Sequence, residues 1–102
     1  MNNRELDVLS ILWGANRPLT SSEIVNAGKG LSQSTVQAVL RKLLTEKIVK
    51  VSGITHSGNV LSRQYEPDTR AKEMVMKYFI DRYRGFEKII SKEEVIEAIK
   101  NC

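Results

Sequence analysis

Within the stretch "LSQSTVQAVLRKLLTEKIVK", residues 31 to 50, the chain carries Ser34, Gln37, Ala38, Arg41, Lys42 and Thr45. Their types suit hydrogen bonding to nucleic acid. A glutamine amide such as Gln37 can pair bidentately with adenine and a guanidinium such as Arg41 with guanine, while Ala38 or Thr35 can touch a thymine methyl. Ser34 and Lys42 suit phosphates. An uncharged polar tip followed by two cations also differs from an ordinary solvated helix face, which more often mixes both charge signs.

The residues between them say how they are presented. Val36, Val39, Leu40, Leu43 and Leu44 recur at i, i+3, i+4, i+7 and i+8, which predicts a helix laid on a core and turns the polar set outward. Ser32 fits its N-cap, and Leu31 can staple to Val36. Upstream, Asn2 and Glu5 form a capping box for a first helix, whose core stripe is read as Leu6, Leu9, Leu12 and Trp13, running to Gly14. Thr20 and Glu23 form a second capping box, with Leu19 and Ile24 as staple, for a short helix to about Ala27. Gly28 and Gly30 then supply the positive φ that turns the chain into the third helix. Downstream, "IVKVSGI" and "VLSRQYE" predict two strands of a hairpin joined through "THSGN". Pro67 ends the second strand and Asp68 caps a fourth helix bearing Ala71, Met74, Val75, Tyr78, Phe79 and Tyr83 and ending near Gly85. Ser91 and Glu94 open a short last helix with Val95, Ile96 and Ile99.

Three helices followed by a hairpin is the order of a winged helix-turn-helix, so the expected class is mainly α with a small β-hairpin. Residues 1–67 are expected to form a winged-helix DNA-binding domain and residues 68–102 a helical dimerisation segment. The third helix would enter the major groove and the hairpin would follow the backbone, with Arg41, Lys42, Lys50 and Arg63 neutralising phosphates. His56 has no second histidine and no nearby cysteine to complete a metal site, so a solvent or phosphate contact is preferred. Met74, Val75, Tyr78, Phe79, Tyr83, Val95, Ile96 and Ile99 offer more apolar surface than a small winged helix can cover, which predicts a homodimer interface and hence a palindromic double-stranded DNA operator.

Composition agrees with this class. The 102 residues are 41% hydrophobic and 27% charged, typical of a globular domain. The sequence has neither an apolar run of about 18 residues nor a signal-like N-terminus, so a cytoplasmic protein without membrane contact is expected. Net charge is +4, and its distribution is uneven: Lys29, Arg41, Lys42, Lys47, Lys50 and Arg63 are opposed only by Glu46 between Lys29 and Tyr65, giving that segment +5 and the rest −1. No glycine-rich phosphate loop, HExxH or nucleophile near a base suggests an enzyme. The lone Cys102 supports neither a disulfide nor a cysteine metal cluster, and no cofactor is expected. The competing reading is a winged helix used for protein–protein interaction, which would show an apolar outer face on the third helix and binding insensitive to salt.

The segments "RELDVLSILW", "LTSSEIV", "LSQSTVQAVLRKLLTEKIV" and the strand end from Tyr65 to Pro67 resemble the penicillinase repressor family, and "ISKEEVIEAIKN" resembles that family's last helix. The resemblance implies a dimeric repressor with an N-terminal winged helix and a C-terminal helical dimerisation part, binding palindromic operators near promoters. It places DNA-reading positions at Ser32, Ser34, Thr35, Gln37, Ala38 and Arg41 or Lys42. Two departures stand out. The wing "ITHSGNVLSRQ" is longer than the family's, with His56 and Arg63 as its basic residues, and "RGFEKII" is shorter than the corresponding family segment, so relief of repression by proteolysis is not carried over. The upstream sensor or protease is left unidentified. Paired C-terminal cysteines of the copper-responsive members have no counterpart.

Overall fold

The computed structural model describes residues 1–102, apart from the side chain of Ser57. The element order is α1 (Asn3–Ala15), α2 (Ser21–Asn26), α3 (Gln33–Thr45), β1 (Val49–Ser57), β2 (Val60–Pro67), α4 (Ala71–Arg84) and α5 (Lys92–Lys100). By contact the chain divides into residues 1–72 and 73–102.

In the first unit each helix begins where its local chemistry provides a cap. Asn2 Oδ1 accepts the Glu5 N–H (2.9 Å) and Glu5 Oε2 accepts the Asn2 N–H (2.8 Å). Thr20 and Glu23 repeat the arrangement at α2. These reciprocal bonds satisfy helix N–H groups that have no partner within the helix. Leu19 with Ile24 and Leu31 with Val36 are buried, as staples require. The α2–α3 turn passes through Gly28 (φ 102°), Lys29 (φ 68°) and Gly30 (φ 65°), a left-handed run that two glycines make accessible.

The core joins Val8, Leu9, Ile11 and Leu12 of α1, Ile24 of α2, and Val36, Val39, Leu40 and Leu43 of α3, closed by Leu19, Leu31, Ile48 and Val49. Two residues of the expected α1 stripe fall outside its buried set: Leu6 is only half-buried, and Trp13 is 43% exposed rather than in the core. The buried stripe is Glu5, Val8, Leu9 and Leu12, at i, i+3, i+4 and i+7, and Trp13 lies a further 100° round the helix from Leu12. A carboxylate therefore occupies the first position of the core stripe.

Helix α3 ends in a Schellman motif: the Ile48 N–H donates to the Leu43 carbonyl (2.9 Å) and the Lys47 N–H to that of Leu44 (3.1 Å). Lys47 takes φ 61° to do this, without the freedom of glycine. The wing follows as an antiparallel pair with Lys50 opposite Glu66, Ile54 opposite Arg63 and His56 opposite Leu61. A register shift between Val51 and Gly53 leaves Ser52 as the extra residue of a bulge. The expected five-residue connection is only Gly58–Asn59; Thr55 and His56 belong to β1, because Gly58 at φ 65° closes the hairpin in two residues. The root of the wing is fixed to the body where Leu19 and Tyr65 exchange both backbone hydrogen bonds, at 2.9 and 2.7 Å.

The second unit has a different character. None of residues 73–102 is buried. Its order comes from local bonds: Ser91 and Glu94 form the capping box of α5, Arg82 lies 5.2 Å over the Tyr78 ring, and the Tyr83 hydroxyl donates to the Ile90 carbonyl (2.9 Å). Asp68, expected as the cap of α4, accepts instead from the Arg70 N–H (3.2 Å) in a turn just before the helix.

Candidate nucleic-acid interface

The outward face of α3 is polar along its length. Ser34, Gln37, Ala38, Arg41, Lys42 and Thr45 are exposed and Thr35 is half-buried. This outer surface is not the apolar one that a protein-docking helix would present. The helix is held from both sides: its inner stripe packs on α1 and α2, and the Gln33 Nε2 donates to Ser21 Oγ (2.9 Å), joining the first turns of α3 and α2. Such a mounting fixes which side chains look outward.

The candidate side chains differ in how free they are. Gln37 and Arg41, one turn apart, have no side-chain hydrogen bond or ion pair among the described residues, so their donors are available. Ser32 is engaged as the N-cap: its Oγ accepts the Thr35 N–H (3.2 Å) and donates to Thr35 Oγ1 (2.9 Å), with Ser34 Oγ 3.3 Å away. Serine and threonine hydroxyls here form one cluster around the first turn, where unpaired helix N–H groups favour an anion. The Thr45 hydroxyl donates to the Arg41 carbonyl (3.0 Å) and so is spent locally.

Lys42 is not the free cation its sequence position suggests. Its Nζ lies 2.6 Å from Glu5 Oε1, and the Glu5 side chain is 2% exposed against 54% for Lys42. Burial works to raise the Glu5 carboxyl, but the Lys42 ammonium and the Asn2 N–H outweigh it and hold the group below the usual carboxylate range. Reciprocally, Glu5 holds the Lys42 ammonium above the ordinary lysine range. Among the described residues Glu5 Oε1 has no polar partner besides this ammonium, so the ammonium is what compensates it. Glu5 is the residue that sequence reasoning missed as part of this face; the signal was its place in the i, i+3, i+4, i+7 series with Val8, Leu9 and Leu12.

On the wing, Ile54, His56, Leu61 and Arg63 share one face, since residues paired across an antiparallel ladder point the same way. Both basic side chains are exposed. Lys50 is partly occupied by Glu66, its cross-strand neighbour, at 3.5 Å. Among the described residues no group of three or more His, Cys, Asp or Glu could hold a metal ion, and no helix is long and apolar enough to cross a membrane.

Comparison with known proteins bears on the family and the fold. A family model described as Penicillinase repressor matches residues 1–99. Among solved structures, the chain is similar to the A103V mutant of MepR from a multidrug-resistant clinical isolate of S. aureus, with a TM-score of 0.64 and 19% identity, covering 99% of this chain and 73% of that one. It is also similar to the adhesin competence repressor AdcR from Streptococcus pyogenes, with a TM-score of 0.56 and 17% identity over 98% of this chain and 74% of the other. Dissimilatory sulfite reductase D shares the fold at a TM-score of 0.50 and 15% identity, covering 74% of this chain and 99% of that one. A comparison with the curated proteins finds no match.

Proposed function

The chain belongs to the penicillinase repressor family and is a winged-helix DNA-binding transcriptional repressor rather than an enzyme, and from that premise we propose that it acts as a homodimer on a palindromic operator, with α3 of each subunit in a major groove. The observation that carries the proposal is the outward face of α3, where Gln37 and Arg41 stand unpaired among the described residues on a helix packed on the core by its opposite face. Gln37 reads adenine and Arg41 guanine; Ala38 and the Thr35 methyl suit a thymine methyl. The Ser32 and Ser34 hydroxyls, at the capped first turn, suit a phosphate, and Arg63 and His56 on the wing meet the backbone alongside it.

Residues 73–102 support the dimer. A segment without a single buried residue cannot offset its ordering entropy alone. Its apolar side chains stand open, from Ile90 at 39% exposure to Ile89 at 78%, and include Met74, Phe79, Ile96 and Ile99. Val75, Tyr78, Tyr83 and Val95 are half-buried beside them. A second copy of the same surface, related by a dyad, would cover them and set the two α3 helices about 34 Å apart or a multiple of it.

Two measurements test this reading together. Sedimentation of the full chain at tens of micromolar is expected to show a dimer, and nuclease protection on the DNA upstream of its gene is expected to cover an inverted repeat. A monomer, or protection of a single half-site only, would contradict it.

A further inference from the structure

Lys42 stands one residue beyond Arg41, at the border between the exposed face of α3 and its core stripe, on the line that also holds half-buried Thr35 and buried Val39. From there it can serve either of two anions: a DNA phosphate outside or Glu5 inside. The two are not equivalent. An exposed ammonium that moves to a phosphate exchanges water for another well-solvated partner, whereas leaving Glu5 strands a carboxylate in the stripe formed with Val8, Leu9 and Leu12. Glu5 Oε2 already accepts from the Asn2 N–H, but Oε1 has the ammonium alone at 2.6 Å. The contact also joins the first turn of α1 to the last turn of α3.

We propose that Glu5 withholds Lys42 from the DNA backbone: Lys42 is a positioning residue that ties α3 to α1, and the phosphate contacts of this face fall to other side chains. This rests on the DNA-binding reading above. It also alters that reading, since a cation at this position on a recognition helix would otherwise be counted among the phosphate ligands. Glu5 in turn becomes a residue that sets the electrostatic strength of the interface from inside the fold. Removing its charge would release an ammonium onto the DNA-facing surface.

The test uses the full chain with E5Q, K42M and the E5Q/K42M pair. Glutamine keeps the capping box with Asn2, so E5Q removes the charge and leaves the helix start intact. Without DNA, urea unfolding should show coupling: K42M alone is the least stable variant, and adding E5Q to it restores stability. Strictly additive effects would overturn the tie. With duplex DNA, the slope of log K against log salt should be the same for E5Q/K42M as for the unchanged protein, and steeper for E5Q by about 0.9 per freed ammonium. A slope for E5Q/K42M shallower by about 0.9 per subunit would overturn the withholding, because it would mean that Lys42 contacts phosphate. An unchanged protein with no salt-dependent DNA binding would defeat the DNA-binding reading and the withholding with it, while the coupling measured without DNA would still decide the tie.

Discussion

Leu19 and Tyr65 exchange both of their backbone hydrogen bonds, at 2.9 and 2.7 Å, and so add the segment before α2 to the edge of the wing. A hairpin of two strands is marginal in isolation. Here its root is held by a third backbone, and the Leu19 side chain, 4% exposed, sits in the core beside that bridge. Leu19→Ala should therefore cost about 2 to 5 kcal/mol, the range for emptying a buried leucine site. Urea denaturation followed by far-ultraviolet circular dichroism measures it, and a loss below about 1 kcal/mol would show that the site is not part of the cooperative core.

Lys47 offers the opposite sign. It occupies the left-handed C′ position of α3 at φ 61°, a conformation that costs a non-glycine residue about 1 kcal/mol or more. Lys47→Gly should stabilise the protein by about 1 kcal/mol in the absence of DNA, despite the greater freedom glycine gives the unfolded chain. A thermal melt that moves down rather than up would show that the lysine makes a compensating contact.

Stability should fall in acid, in part through Glu5. Its folded carboxyl is held below its ordinary value, so the unfolded chain takes up the proton first as pH drops. The contribution is therefore fully present above the ordinary glutamate range and is lost as pH falls through the lower folded value. Glu23, lowered chiefly by the Thr20 N–H and then by Arg17, adds to the same window. Urea midpoints measured from pH 7 to pH 3 should decline less steeply for Glu5→Gln than for the unchanged protein; parallel curves would show that Glu5 is not linked to folding.

Much of this architecture is legible in the sequence because it is local. The capping boxes Asn2/Glu5, Thr20/Glu23 and Ser91/Glu94 each depend on residues three apart, and each forms as their spacing predicts. The stripe of α3 is equally plain, since periodicity alone separates Val36 and Leu40 from Gln37 and Arg41. Where reading failed, the deciding contact was distant or the local signal was shared. Trp13 continues an apolar series with Leu6, Leu9 and Leu12, and only the packing of α1 on its neighbours shows that Glu5 and Val8 join Leu9 and Leu12 inside while Trp13 stays out. Lys42 has the spacing of a surface cation, and nothing near it in the chain indicates a carboxylate 37 positions away. Thr55 and His56 look like turn residues beside Gly58, yet a hairpin that closes in two residues leaves them in the strand.

Reading and holding should separate on α3. Gln37→Ala and Arg41→Ala should each weaken operator binding by about 1 to 3 kcal/mol and relax preference at particular base pairs, because under the proposed reading each would remove a bidentate base contact and neither side chain is bonded into the fold. Arg63→Ala on the wing should weaken binding to all sequences alike. Competition with operators changed one base pair at a time distinguishes the two patterns. Should the Gln37 and Arg41 variants keep the full base preference, these side chains are not the readers.

The central claim, that two copies of this winged helix hold a palindromic duplex through α3 and the wing, is tested most directly by titrating the full chain with an inverted-repeat duplex between 50 and 200 mM salt. About three phosphate contacts per subunit predict a log-log slope of about −5 for the dimer, with one dimer bound per repeat. A flat salt dependence, or equal affinity for the inverted repeat and for a scrambled duplex, would contradict it.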